Sequence, residues 1–169
     1  DDEGWGIKNL LVRNLASSYS GAAALTVNAG AGAIGLTSGV GQSKTLAAMQ
    51  LNSTAATTLG GAVRAASVTT NTGGTLQING ASVTTTGAQS YGENISLGRA
   101  VTLTASDISS AGTLNLGANT LTLNTPSDMA IAGVISGTGG AVTKQGAGAL
   151  TLSGANTFTG GMTLSLIHI

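Results

Sequence analysis

The sequence predicts an all-β protein coiled as a parallel β-solenoid. Three observations predict it. Short segments alternate strictly between apolar and polar residues, which is the period of a half-buried strand. Gly, Asn and Ser punctuate those segments at short intervals, as turns require. Large side chains are almost absent: Trp5, Tyr19, Tyr91 and Phe158 are the only aromatic rings in 169 residues. A sandwich of hairpins must fill a gap of about 10 Å between two sheets. A solenoid stacks like on like at about 4.8 Å, so modest aliphatic side chains suffice.

Along the chain, the first segment is the least regular. Ile7, Leu10, Leu11 and Leu15 fall at helical spacing behind the acids Asp1, Asp2 and Glu3, yet Leu11-Val12 and the Gly/Ser-rich stretch that follows read as strand and turn. The strand reading is preferred. The repeating unit then appears as Leu25-Thr26-Val27-Asn28, Met49-Gln50-Leu51-Asn52, Leu76-Gln77-Ile78-Asn79 and Ile95-Ser96-Leu97-Gly98. It continues as Leu114-Asn115-Leu116-Gly117, Leu121-Thr122-Leu123-Asn124 and Leu150-Thr151-Leu152-Ser153. Several units restart after roughly 19 to 27 residues, within the range expected of stacked repeats. Asn79-Gly80 and the Thr-Gly-Gly steps at 72, 138 and 159 mark turns, and Pro126 is expected at a corner. Leu152 is expected to sit in the stacked core, where Leu152→Asp ranks among the most damaging changes. The last six residues, Leu164 to Ile169, break this texture and read as translation of a sequencing-library adapter, which removes the lone His168 from any chemical argument.

Composition limits the function classes. Charged residues are 7% of the chain, against roughly 25% in an ordinary globular domain, while 41% are hydrophobic, so neither a conventional enzyme nor a disordered tail fits. Lys8, Arg13, Lys44, Arg64, Arg99 and Lys144 are scattered and form no basic stripe for nucleic acid. No apolar run approaches the roughly 18 residues of a membrane-spanning helix. Without cysteine there is no disulfide or thiolate metal site, which is compatible with the cytosol and also suits a chain exported unfolded. The start at Asp1, with no signal peptide, reads as a fragment or a mature product.

Residues 135–161 carry a Lys-x-Gly-x-Gly-x-Leu-x-Leu-x-Gly-x-Asn-Thr core, Lys144 to Thr157, followed by Phe158-Thr159-Gly160-Gly161. This pattern resembles the autotransporter-associated β-strand repeat. Residues 84–91 and Ile95-Ser96-Leu97-Gly98 resemble repeats of filamentous-haemagglutinin-like exoproteins. The division that follows is 1–133 as irregular haemagglutinin-like solenoid repeats, 134–163 as the autotransporter-associated repeat and 164–169 as adapter read-through. The resemblance implies a right-handed parallel β-helix in a Gram-negative passenger, secreted or displayed at the outer membrane. It implies export through an outer-membrane translocator barrel, the protein's own or a partner's, and display on the cell; a host or neighbouring-cell surface or its glycans are the expected partners.

Candidate chemistry is sparse. Gly30-Ala31-Gly32-Ala33-Ile34-Gly35 has the GxGxxG spelling, but Leu36-Thr37-Ser38-Gly39 after it opens no helix, so no cofactor is expected. Beyond the N-terminal acids only Glu93, Asp107 and Asp128 remain. Glu93 and Asp107 on adjacent turns, with Arg99 nearby, would be the pair for a polysaccharide-active enzyme, the alternative function. The preferred reading makes all three acids turn or surface residues. Asn28, Asn52, Asn79 and Asn124 are read as turn or ladder residues rather than glycan contacts, and Tyr91 and Phe158 as core plugs rather than sugar platforms. The expectation is therefore a structural or adhesive segment, not an enzyme, with no catalytic, cofactor-binding or metal-binding residues and neither nucleic acid nor a membrane span in this stretch.

Overall fold

The computed structural model describes residues 9–11 and 23–165, with the backbone alone for 9–11. Every described strand pairing is parallel, and the strands form three sheets, two of seven strands and one of six. No helix occurs among the described residues. The chain is a β-solenoid of about seven turns.

Each turn from the second to the sixth visits the three sheets in the same order, and the first and seventh visit two. After β1 (Asn9–Leu11), the first turn holds β2 (Ala24–Gly30) and β3 (Ala33–Leu36). The second holds β4 (Ala48–Ser53), β5 (Ala56–Leu59) and β6 (Val63–Ala65), and the third β7 (Val68–Thr70), β8 (Thr75–Ile78) and β9 (Ser82–Thr85). The fourth holds β10 (Gln89–Tyr91), β11 (Asn94–Leu97) and β12 (Val101–Thr104), and the fifth β13 (Ile108–Ser110), β14 (Leu114–Asn115) and β15 (Thr120–Asn124). The sixth holds β16 (Met129–Ile131), β17 (Ile135–Ser136) and β18 (Ala141–Gln145), and the seventh β19 (Leu150–Leu152) and β20 (Met162–Ser165).

The alternation read in the sequence becomes ladders. Leu36, Leu59, Ile78 and Leu97 stack in one inward column, and Val63, Val83, Leu103 and Leu123 in another. Their neighbours of opposite parity face water, so β15 reads half-buried and buried in turn along Thr120–Asn124. Each buried aliphatic side chain gains roughly 1.5–3 kcal/mol, comparable to the backbone entropy of one or two ordered residues. One turn alone is thus marginal, and stacking supplies the surplus. Leu10 and Leu11 lie in β1, in register with Ile34 and Gly35, as the strand reading expected; Ile7 and Leu15 fall outside the described residues. Pro126 is exposed in the corner between β15 and β16, as expected. Leu152, expected in the core, is only half-buried, because it lies in the last described turn with no described strand above it. Leu164 and Ser165, assigned by sequence to the foreign tail, pair with Lys144 and Gln145 as the end of β20; residues 166–169 are outside the described set.

Candidate functional site

The three acids are kept apart. Asp107 is exposed in the corner before β13, and its carbonyl accepts a hydrogen bond from the Gln89 amide at the start of β10. Glu93 lies beyond the other end of β10 and points inward, 1% exposed. The two carboxyl groups therefore sit at opposite ends of neighbouring strands, one in water and one in the core. Asp128 is exposed at the β15–β16 corner, where its Oδ1 accepts the Ala149 amide at 2.7 Å. Arg99 is exposed on the corner between β11 and β12. The enzyme alternative needs paired carboxylates within reach of one sugar, and Glu93 is not available to it. The expectation that Glu93 is a solvated turn residue is also wrong: its parity follows Gln89 and Tyr91, both inward.

Those three inward residues make the first side of the fourth turn polar. The Gln89 Nε2 donates to the carbonyls of Val83 and Thr104 at 3.0 and 2.9 Å, and to Thr85 Oγ1 at 3.3 Å. The Tyr91 hydroxyl donates to Gln89 Oε1 at 2.9 Å. Tyr91 is 2% exposed, so it plugs the core and offers no face to a sugar, while burial pushes its phenol pKa up. Phe158 is half-buried and packs against the core from the seventh turn. Thr57 Oγ1 donates to Glu93 Oε1 at 3.4 Å, and Glu93 Oε2 has no partner. Burial pushes the Glu93 pKa up to about 7 against a small opposing effect of the Thr57 hydrogen bond.

Lys144, read in the sequence only as a scattered basic residue and the start of the repeat core, is the second polar intruder. It occupies the aliphatic column between Leu123 and Leu164 and is 0% exposed. Its Nζ donates to the carbonyls of Thr125, Gln145 and Gly146 at 3.1, 2.7 and 3.4 Å. Desolvation lowers its pKa, opposed by the charge of Asp128. The amine thus satisfies inward-facing carbonyls of one corner, a structural task.

The asparagines stitch turns together. Asn52 Nδ2 donates to Asn28 Oδ1 at 2.6 Å, an amide ladder across two turns. Asn79 sits beneath Gly98, whose missing side chain makes room for its Oδ1, and Asn124 is half-buried in register with Thr104 and Gln145. Sequence reasoning missed better stitches. Asn71 accepts the Ser53 amide, Asn94 the Thr113 amide and Asn156 the Ile135 amide, all within 2.9 Å. Asn71 follows β7 and Asn156 lies beyond β19, while Asn94 opens β11, so each stands between the first and the second sheet of its turn.

The GxGxxG segment runs from the end of β2 into β3, and Gly30 takes a positive φ of 56° at the turn; strand follows where a phosphate site needs a helix. A shallow cavity of about 460 Å³ opens at the last turn between Asp128, Ala149, Leu150, Met162 and Leu164. Its lining holds one carboxylate and no second titratable group, so it has no partner for acid–base work. No group of three metal-capable side chains occurs among the described residues.

No curated protein and no solved structure matches the chain. One turn of the solenoid does match a family: the stretch begins in β18 and ends in β20, with Val142 paired to Met162. Residues 142–165 match the model of the Passenger-associated-transport-repeat, and that turn, within a parallel solenoid, fits a fragment of an autotransporter passenger.

Proposed function

We propose that this chain is a non-catalytic structural or adhesive segment of a secreted, surface-displayed bacterial exoprotein. The observation that carries the reading is the match at 142–165, which runs from the last strand of the sixth turn through the seventh. The family implies secretion or surface display. Its outward positions fit a spacer. The exposed rank Thr26, Gln50, Thr69, Ser90, Ser109, Ala130 and Thr151 runs the length of one sheet without a charge. Export through an outer-membrane barrel belongs to the same reading, as does contact with cell surfaces or glycans. Such a face supplies few of the Trp, Tyr and Arg anchors that concentrate affinity, so many copies or many turns must act together.

The test is incubation with acidic glycans and with peptides, with and without Ca²⁺, alongside attachment of chain-coated beads to cells. The expected outcome is no product and weak attachment that survives substitution on any one face. Glycan cleavage abolished by Asp107→Ala would establish the enzyme instead. Attachment lost by substituting one patch alone would assign an adhesive head rather than a stalk.

A further inference from the structure

Glu93 stands at the centre of the rod and takes part in none of the stitching described above. Its side chain is 1% exposed, Oε2 has no hydrogen-bond partner, and Oε1 receives one long hydrogen bond from Thr57. The elements around it carry no compensating charge. β5, β7, β8, β11, β13 and β14 contain no charged residue, nor do the corners 53–55, 71–74 and 111–113. Across the lumen, β9 and β12 are likewise uncharged, and Arg64 of β6 is exposed on the outer face. Tyr91, the one titratable neighbour, is neutral and engaged with Gln89. A carboxylate here would be an unpaired ion in the core, which folded chains avoid by neutralising the group or by moving it to water.

We propose that Glu93 is a proton-operated latch: the solenoid closes around its neutral carboxyl, and ionisation loosens the fourth turn while the turns on either side remain stacked. The geometry makes the effect local. The backbone above Glu93 approaches so closely that a Cβ on Gly112 would lie 2.2 Å from the Glu93 carbonyl, so the corner cannot shift outward without parting from the fifth turn. In a stack held by nearest neighbours, a loosened turn divides the rod into two blocks rather than unfolding it throughout. The interior of the same turn is polar, with Gln89 and Tyr91 beside Glu93, so it admits water more readily than the aliphatic turns.

The direction with pH follows from linkage. The folded chain holds the Glu93 proton up to about pH 7, whereas the unfolded chain releases it near 4.5. The folded state therefore binds more protons across that window, and stability is fullest below it and declines as pH rises through it. The folding equilibrium is expected to fall by about two orders of magnitude in total.

The experiment compares thermal unfolding and backbone hydrogen exchange of the whole chain with Glu93→Gln between pH 4 and 8. A ¹³C titration of the glutamate carboxyls in the unsubstituted chain gives a readout that does not depend on the variant folding. The latch predicts a melting temperature that declines with pH in the parent and not in the variant. It also predicts exchange accelerating first at residues 88–98, and one glutamate titrating near neutrality. A parent and variant with the same pH profile, or a carboxyl titrating in the ordinary glutamate range, would overturn it. So would exchange that accelerates uniformly along the rod.

Discussion

A methyl group on Gly133 has nowhere to go. Its Cβ would lie 1.9 Å from the Gly112 carbonyl oxygen, and a Cβ on Gly154, one turn further, would lie 2.5 Å from the Gly133 oxygen. These neighbours are backbone, so the clash is relieved only by spreading the turns. Gly35 lies in a strand with nothing within 4 Å of the same position. Gly133→Ala should therefore cost about 1–3 kcal/mol, whereas Gly35→Ala should stay within about 0.5 kcal/mol. Denaturant unfolding of the two variants checks this, and equal losses would show that the glycine column is not a spacing device. The abundance of glycine was plain in the sequence. Which glycines are sterically required was not, because close approach depends on what the turn below places there. Glu93 shows the same boundary: its inward parity with Gln89 and Tyr91 was legible, but the habit of assigning charge to the surface hid it.

At the scale of strands, position in the stack decides the cost of a change more than residue type does. Leu76 and Leu152 both follow the apolar-polar-apolar unit, and their sequences give no reason to rank them. Leu76 is 0% exposed between Thr57 and Ile95, while Leu152 is half-buried in the last described turn. Leu76→Asp should lose about 4 kcal/mol or more, the range of an unpaired buried charge, and Leu152→Asp no more than half of that. Melting temperatures of the two variants, measured side by side, test the ranking; Leu152→Asp as the worse change would mean the seventh turn is covered. The strands themselves were legible from alternation, and so was their parallel stacking, from the shortage of large side chains. Register was not. The spacing between stacked partners is 24 residues from Leu25 to Met49, 19 from Met49 to Val68 and 21 from Met129 to Leu150. With corners of variable length, no spacing in the sequence says that Asp107 and Glu93 part company at opposite ends of a strand.

For the whole molecule, the hydrogen bonds between turns run parallel to the long axis, since every described pairing joins one turn to the next. Tension applied between the ends thus pulls on one interface at a time rather than shearing many strands together. Each turn that detaches releases about 21 residues, as between Met129 and Leu150. Extended, those residues span about 70 Å, against about 4.8 Å when stacked. Stretching a single molecule should accordingly give a sawtooth of similar steps, each close to that length, and a single rupture releasing the whole chain would contradict it. A rod made this way behaves as a shock absorber: under load it yields by discrete paid-out lengths, and it shortens again as turns restack when the load slackens.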